Sequence, residues 1–156
     1  MTKPLIVLAV DDEAPALDEL AYLLGRHPDI AEVFRAADAT SALRELNART
    51  IDAVFLDINM PGLSGIELAG VLANFSDRPA IVFVTAHDDK AVAAFDVGAV
   101  DYLLKPIRED RLDEGIRRVL SAQAAPPAAS QTAEVPDQSG GRRTESDVVP
   151  AELVGG

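Results

Sequence analysis

The sequence predicts an α/β fold, a doubly wound parallel sheet with helices on both faces. Two observations predict it. Five short apolar or β-prone runs alternate with segments of helical spacing over about 123 residues, the pattern of repeated β-α units. Four of those runs stop abruptly at hydrophilic residues of distinct chemistry: Asp11-Asp12, Asp57, Thr85 and Lys105. In a parallel sheet such strand ends share one edge, the edge at which open α/β sheets bind ligands.

Residues 5–10 form the first apolar run, ending in Asp11, Asp12 and Glu13. Residues 14–26 follow with Leu17, Leu20, Ala21 and Leu24 on one helical face, and Pro15 suits the first turn. His27-Pro28-Asp29 stops that helix. Residues 32–36 are a weaker strand candidate. Asp38 can cap a helix reaching Arg49, with Ala42, Leu43 and Leu46 facing inward. Residues 51–56 are apolar throughout except Asp52 and read as a strand covered on both faces, closed by Asp57. Ser64 and Glu67 make a capping box for a helix to about Asn74. Residues 80–84 lead into Thr85-Ala86. Asp88 or Asp89 opens a short helix that Gly98 closes. Residues 100–104 end at Lys105-Pro106, an X-Pro turn suited to a cis bond that would aim the lysine over the sheet edge, with an ordinary trans turn and a solvated lysine as the alternative. The last helix covers residues 108–122, with Leu112, Ile116, Val119 and Leu120 on one side.

Composition narrows the function. The chain has 156 residues, 48% of them hydrophobic, no Cys and a net charge of -12. Disulfides and thiolate metal sites are excluded, and no apolar run approaches the ~18 residues of a membrane span. Residues 1–13 make a poor signal peptide, because no small-residue cleavage site follows the apolar run. The expectation is therefore a cytoplasmic protein with no membrane contact and no nucleic-acid surface of its own. Residues 124–156 are rich in Ala, Pro, Ser, Gln and Gly without a periodic apolar face, and read as a disordered linker or tail after a domain spanning residues 1–123.

The strand ends carry the chemistry. Asp11, Asp12 and Asp57 brought together repel one another unless a cation neutralises them. Mg²⁺ suits an oxygen-only site of this kind. Asp57 is then placed to act as a nucleophile toward phosphorus, with Lys105 and Thr85 contacting phosphoryl oxygens. The plain alternative for Asp57 is a solvated acid closing a strand. His27 and His87 have no evident partners and are expected at the surface, although His87 lies two residues past Thr85.

The set Asp11-Asp12, Asp57, Met60-Pro61-Gly62, Thr85-Ala86 and Lys105-Pro106 resembles the CheY-like receiver domain of bacterial two-component response regulators, over about residues 4–122. The resemblance implies a flavodoxin-like sheet of order 2-1-3-4-5. It implies that Asp57 accepts a phosphoryl group from a sensor histidine kinase. Asp12 and Asp57 would then hold Mg²⁺ by their side chains, Asn59 by its backbone carbonyl and Asp11 through water. Thr85 and Lys105 would bind the phosphoryl group, Tyr102 would turn inward as Thr85 moves, and Asn59 and His87 would tune phosphate lifetime. A response surface on the fourth helix, fifth strand and fifth helix, with Val92, Ala94, Phe95, Tyr102 and Leu103 in or near it, would support a homodimer; the alternative for Phe95 and Leu103 is that they are core residues. No enzymatic activity is implied beyond self-phosphorylation and self-dephosphorylation.

Residues 91–107, AVAAFDVGAVDYLLKPI, are similar to receivers of the LytR/AlgR type, which usually precede a LytTR DNA-binding domain. No such domain follows in this sequence. The expectation is a receiver with its linker, acting on DNA through an absent output domain; a naturally short tail is the alternative. Two other functions fit the same residues: a phosphorylation-independent binding module, and a Mg²⁺-dependent phosphohydrolase with an aspartyl-phosphate intermediate. The latter would favour a second acid two residues after Asp57, where this chain has Asn59.

Overall fold

The computed structural model describes residues 3–86 and 91–124, and within them not the side chains of Ala91, Val92, Phe95 and Ala124. Among the described residues ten elements alternate. They are β1 (Leu5–Val10), α1 (Ala14–Gly25), β2 (Ile30–Ala36), α2 (Ala39–Ala48), β3 (Ala53–Leu56), α3 (Gly65–Leu72), β4 (Ala80–Thr85), α4 (Ala91–Asp96), β5 (Asp101–Leu104) and α5 (Glu109–Ala124). All pairings are parallel, and the order is β2-β1-β3-β4-β5. This is the doubly wound flavodoxin-like sheet that the sequence predicts.

Side-chain alternation divides the core into two layers. On one face, Leu8, Val10, Val54, Leu56, Ile81 and Phe83 pack with Ala42 of α2, Leu68 and Leu72 of α3, and Ala94 of α4. On the other, Val7, Ala9, Phe55, Val82, Val84 and Leu103 pack with Leu17, Leu20 and Leu24 of α1 and with Leu112, Ile116 and Val119 of α5. The central strands β1, β3 and β4 are almost wholly buried, as their continuous apolar runs require.

The helix signals act where the sequence places them. Asp38 accepts the Ser41 N–H at 2.7 Å. Ser64 and Glu67 form the reciprocal capping box of α3, and Pro15 sits in the first turn of α1. Gly98 closes α4 at φ 84°, and the Lys105-Pro106 bond is cis. Arg78 donates to the carbonyls of Val97 (2.9 Å) and Gly98 (3.4 Å), giving α4 a cap from another loop. A Cβ on Gly98 would overlap that guanidinium.

β2 begins two residues earlier than its composition suggests, because it carries an irregularity. Leu5 pairs with Ile30 but Ile6 pairs with Glu32, so Ala31 is an extra residue on the edge strand. At the same point the Ile6 N–H goes to the Asp52 carboxylate at 2.8 Å. Asp52 also donates its N–H to Ile6 O at 2.7 Å, and its carbonyl accepts from Ala80 N and Gln123 Nε2.

Two expectations are corrected. His27 is not a surface residue: only 11% of its side chain is exposed, its Nδ1 accepts the Asp29 N–H at 3.1 Å and its Nε2 lies 3.6 Å from Asp113. Ala94 is fully buried and does not contribute to an outer surface; of the two readings of Leu103 the core one holds, and Leu104, at 47% exposure, stands outward on β5. The reason is strand alternation, which points Leu103 toward α5. Five further expectations fall wholly or partly outside the described residues: His87, the helix start at Asp88 or Asp89, the 124–156 tail from residue 125 on, and the side chains of Val92 and of Phe95.

Candidate functional site

The carboxyl ends of β1, β3, β4 and β5 converge at one rim of the sheet. The ladder runs one residue past β1 and β3: Asp11 N donates to Ala36 O at 3.2 Å, and Asp57 N donates to Val10 O at 3.0 Å. Both acids are thereby fixed by their backbones. Both are nearly buried, at 2% and 6% exposure, while Asp12 is open to solvent. Ligand oxygens of Asp11, Asp12 and Asp57 all lie within 4.8 Å of one another. Among the described residues this is the one acidic group with metal-binding spacing.

Asp11 is held further by the Glu13 N–H, which donates to its Oδ1 at 2.9 Å. Its Oδ2 accepts from Lys105 Nζ at 2.7 Å; the same ammonium reaches Asp57 Oδ2 at 3.4 Å. Burial disfavours the charge on Lys105, but the Asp11 hydrogen bond, with the Asp57 and Asp11 charges, outweighs it and raises the lysine above its ordinary value. Lys105 is therefore an ammonium at neutral pH. One cation against three carboxylates leaves the cluster under-neutralised, and its oxygen-only donor set fits a hard divalent ion.

A cleft of about 300 Å³ opens onto these groups, lined by Asp12, Glu13, Asp57, Asn59, Ala86 and Lys105. The loop below it depends on Gly65. Its N–H donates to Ile58 O at 2.8 Å, and a Cβ there would overlap the Asp57 carbonyl oxygen. α3 thus starts directly against the backbone of Asp57, and only glycine allows that approach.

Thr85 ends β4, fully buried, and its carbonyl accepts the Lys105 N–H at 2.8 Å. Tyr102 pairs with Phe83 across β4 and β5, with ring centroids 6.5 Å apart and planes at 55°. Thr85, Phe83 and Tyr102 project on the same face of the sheet, that of α2, α3 and α4. The structure thus brings Asp12, Asp57, Asn59 and Lys105 to one cleft, with Asp11 buried against Lys105, Thr85 adjoining through Ala86 and Tyr102 one strand pair below on the same face.

One residue went unnoticed in the sequence. Asp101 is 1% exposed and is bonded twice by Arg111 (2.9 Å each) and once by Arg118 (3.0 Å). Burial pushes its carboxyl up, but the Arg111 hydrogen bonds, the Tyr102 N–H and the two arginine charges hold it below the usual carboxylate range. The available signal was an acid inside the apolar run VDYLL, a placement that requires cationic partners.

Comparison with known proteins agrees with this geometry. The response regulator receiver domain family matches residues 7–117. The sensory transduction protein LytT of Bacillus anthracis is 44% identical over 112 residues, covering 72% of this chain and 46% of that protein. The sensory transduction protein LytR of Staphylococcus epidermidis is 36% identical over 148 residues, covering 94% and 59%. The chain thus spans about half the length of these curated relatives. Among solved structures, the response regulatory domain of protein mrkE from Klebsiella pneumoniae superposes with a TM-score of 0.66 at 39% identity, covering 75% of this chain and 96% of that one. Chemotaxis protein CheY4 of Vibrio cholerae gives 0.69 at 29% identity, covering 75% and 99%. An acidic rim, an opposed lysine and a five-stranded 2-1-3-4-5 sheet therefore have one common origin: the chain belongs to the receiver domain family of two-component response regulators and is similar to the LytT/LytR regulators within it.

Proposed function

We propose that this receiver takes a phosphoryl group from a sensor histidine kinase onto Asp57. The observation that carries the reading is the nearly buried Asp57 carboxylate beside two further acids and a single ammonium, at the floor of an open cleft. An Asp57 oxygen attacks phosphorus of a phosphohistidine. The P–N bond breaks, its electron pair leaves with the donor imidazole, and an acyl phosphate forms. Hydrolysis later returns the carboxylate and inorganic phosphate.

Asp12 and Asp57, with the Asn59 carbonyl and Asp11 through water, would hold Mg²⁺, which supplies charge neutralisation for the carboxylates and the phosphoryl oxygens. Lys105 contributes the fixed protein cation, and a modest movement carries it from Asp11 to a phosphoryl oxygen. Thr85 offers its hydroxyl to another. Asn59 and His87 tune how long the phosphate survives.

Phosphorylation adds roughly two negative charges at the rim. Thr85 is drawn toward them, and Tyr102, on the same face, changes rotamer. The α4-β5-α5 surface, on which Tyr102 and the exposed Leu104 stand, then favours a homodimer. By similarity to the LytT/LytR relatives, the receiver occupies residues 1–123, and residues 124–156 tether a LytTR-type output domain that contacts DNA in the cytoplasm. The test is intact-protein mass after incubation with Mg²⁺ and acetyl phosphate. One Mg²⁺-dependent phosphoryl adduct on wild type, absent from Asp57→Ala, is expected. No adduct on a folded wild type that also fails to bind beryllofluoride would refute the acceptor reading and leave a binding module; no adduct with beryllofluoride binding would mean a very short-lived phosphate.

A further inference from the structure

β5 is an edge strand, and edge strands leave every second amide without a strand partner. On β5 the N–H and the carbonyl of Tyr102 are each bonded by a side chain. Both are taken up by one cluster. The Tyr102 N–H donates to Asp101 Oδ1 at 2.8 Å. The Tyr102 carbonyl accepts from Arg111 Nη2 at 3.4 Å, while the same guanidinium forks onto both oxygens of Asp101 at 2.9 Å. Arg118 adds a third bond to Asp101 from the next turns of α5. Asp101 itself points away from Tyr102, into the α1/α5 layer, because neighbouring strand residues face opposite sides.

We propose that Asp101 and Arg111 anchor the main chain of Tyr102 to α5, so that the phosphorylation signal is expressed as rotation of the Tyr102 side chain and not as displacement of β5. The inference rests on the reading of Tyr102 as the switching aromatic. It requires the fork of an arginine: a lysine at 111 keeps the charge but cannot bond Asp101 twice and reach the Tyr102 carbonyl together. A charge pair serving stability alone would tolerate that exchange.

The chain has two tyrosines and no tryptophan, so Tyr22→Phe leaves Tyr102 as the sole reporter. In that background, beryllofluoride with Mg²⁺ serves as the acyl-phosphate mimic. Its binding is followed by bound-fluoride NMR and the switch by Tyr102 fluorescence. Arg111→Lys and Asp101→Asn are expected to bind beryllofluoride within about twofold of the parent while the Tyr102 fluorescence step falls to roughly half or less. A full-sized step in folded Arg111→Lys overturns the anchor. Beryllofluoride binding by the parent without any Tyr102 step also overturns it, leaving the acceptor reading intact. Absence of binding by the parent overturns both. Should Asp101→Asn fail to fold, Arg111→Lys, which retains the charge, decides the matter.

Discussion

Lys105 Nζ lies 2.7 Å from Asp11 Oδ2 and 3.4 Å from Asp57 Oδ2, so the ammonium sits closer to Asp11 than to the proposed phosphoacceptor. Removing it leaves three carboxylates facing one another. Lys105→Met is expected to lose about 1–3 kcal/mol in metal-free buffer, as for breaking a partly buried pair. It should regain more stability from Mg²⁺ than wild type does, and form the acetyl phosphate adduct at least about tenfold more slowly, the loss typical of one charge-stabilising donor. Thermal melts with and without Mg²⁺, alongside the mass assay, measure all three.

Asp57 contributes to the same crowding. Its replacement by the neutral isostere, Asp57→Asn, is expected to stabilise the metal-free protein by about 0.5–2 kcal/mol, since functional sites carry such strain. Urea denaturation in EDTA reads the difference; an unchanged or lower midpoint would mean that Lys105 alone neutralises the cluster.

Thr85 is buried at the end of β4. Thr85→Ala should still acquire the Asp57 adduct, because the nucleophile and Lys105 are untouched, yet lose phosphorylation-driven dimerisation. Analytical ultracentrifugation of both proteins with beryllofluoride compares them, and equal dimerisation would refute the coupling.

Gly65 sets the loop geometry. Gly65→Ala puts a methyl onto the Asp57 carbonyl oxygen, which should cost about 2–4 kcal/mol through backbone displacement. Adduct formation should fall with it even at temperatures where the variant remains folded.

Asp101 gives the fold a defined acid limit. Its folded carboxyl lies below the ordinary value of 3.8, so the unfolded chain takes up the proton more readily. The resulting stability is fully present above the ordinary carboxyl pKa and is lost as pH falls from there through the lower folded value. Denaturation midpoints between pH 7 and pH 3 should fall less steeply at the acid end in Asp101→Asn than in wild type.

Much of this was legible in the sequence because the governing forces are local. Continuous apolar runs announce the buried strands β1, β3 and β4, and Ser64-Glu67 and Asp38 announce their helices before any tertiary contact forms. The rim acids and Lys105 were legible because a parallel sheet collects its strand ends. β2 was blurred: an edge strand with an extra residue at Ala31 has no clean alternation to read. Asp101 was hidden because its partners, Arg111 and Arg118, stand 10 and 17 residues away and meet it only once α5 folds back. The burial of Leu103 was equally a question of which side of β5 faces α5.

The Ile6 amide has a practical use. It donates into the Asp52 carboxylate where β1, β3 and β4 meet, at the end of the sheet opposite the acidic rim. A proton held there is expected to exchange through opening of the sheet more than through motion at its outer edge. The Tyr102 amide, held by Asp101 at the sheet's outer edge, exchanges through local opening instead. Deuterium uptake at these two positions therefore separates global from local free energy in one experiment. Phosphorylation should move the second while leaving the first nearly still.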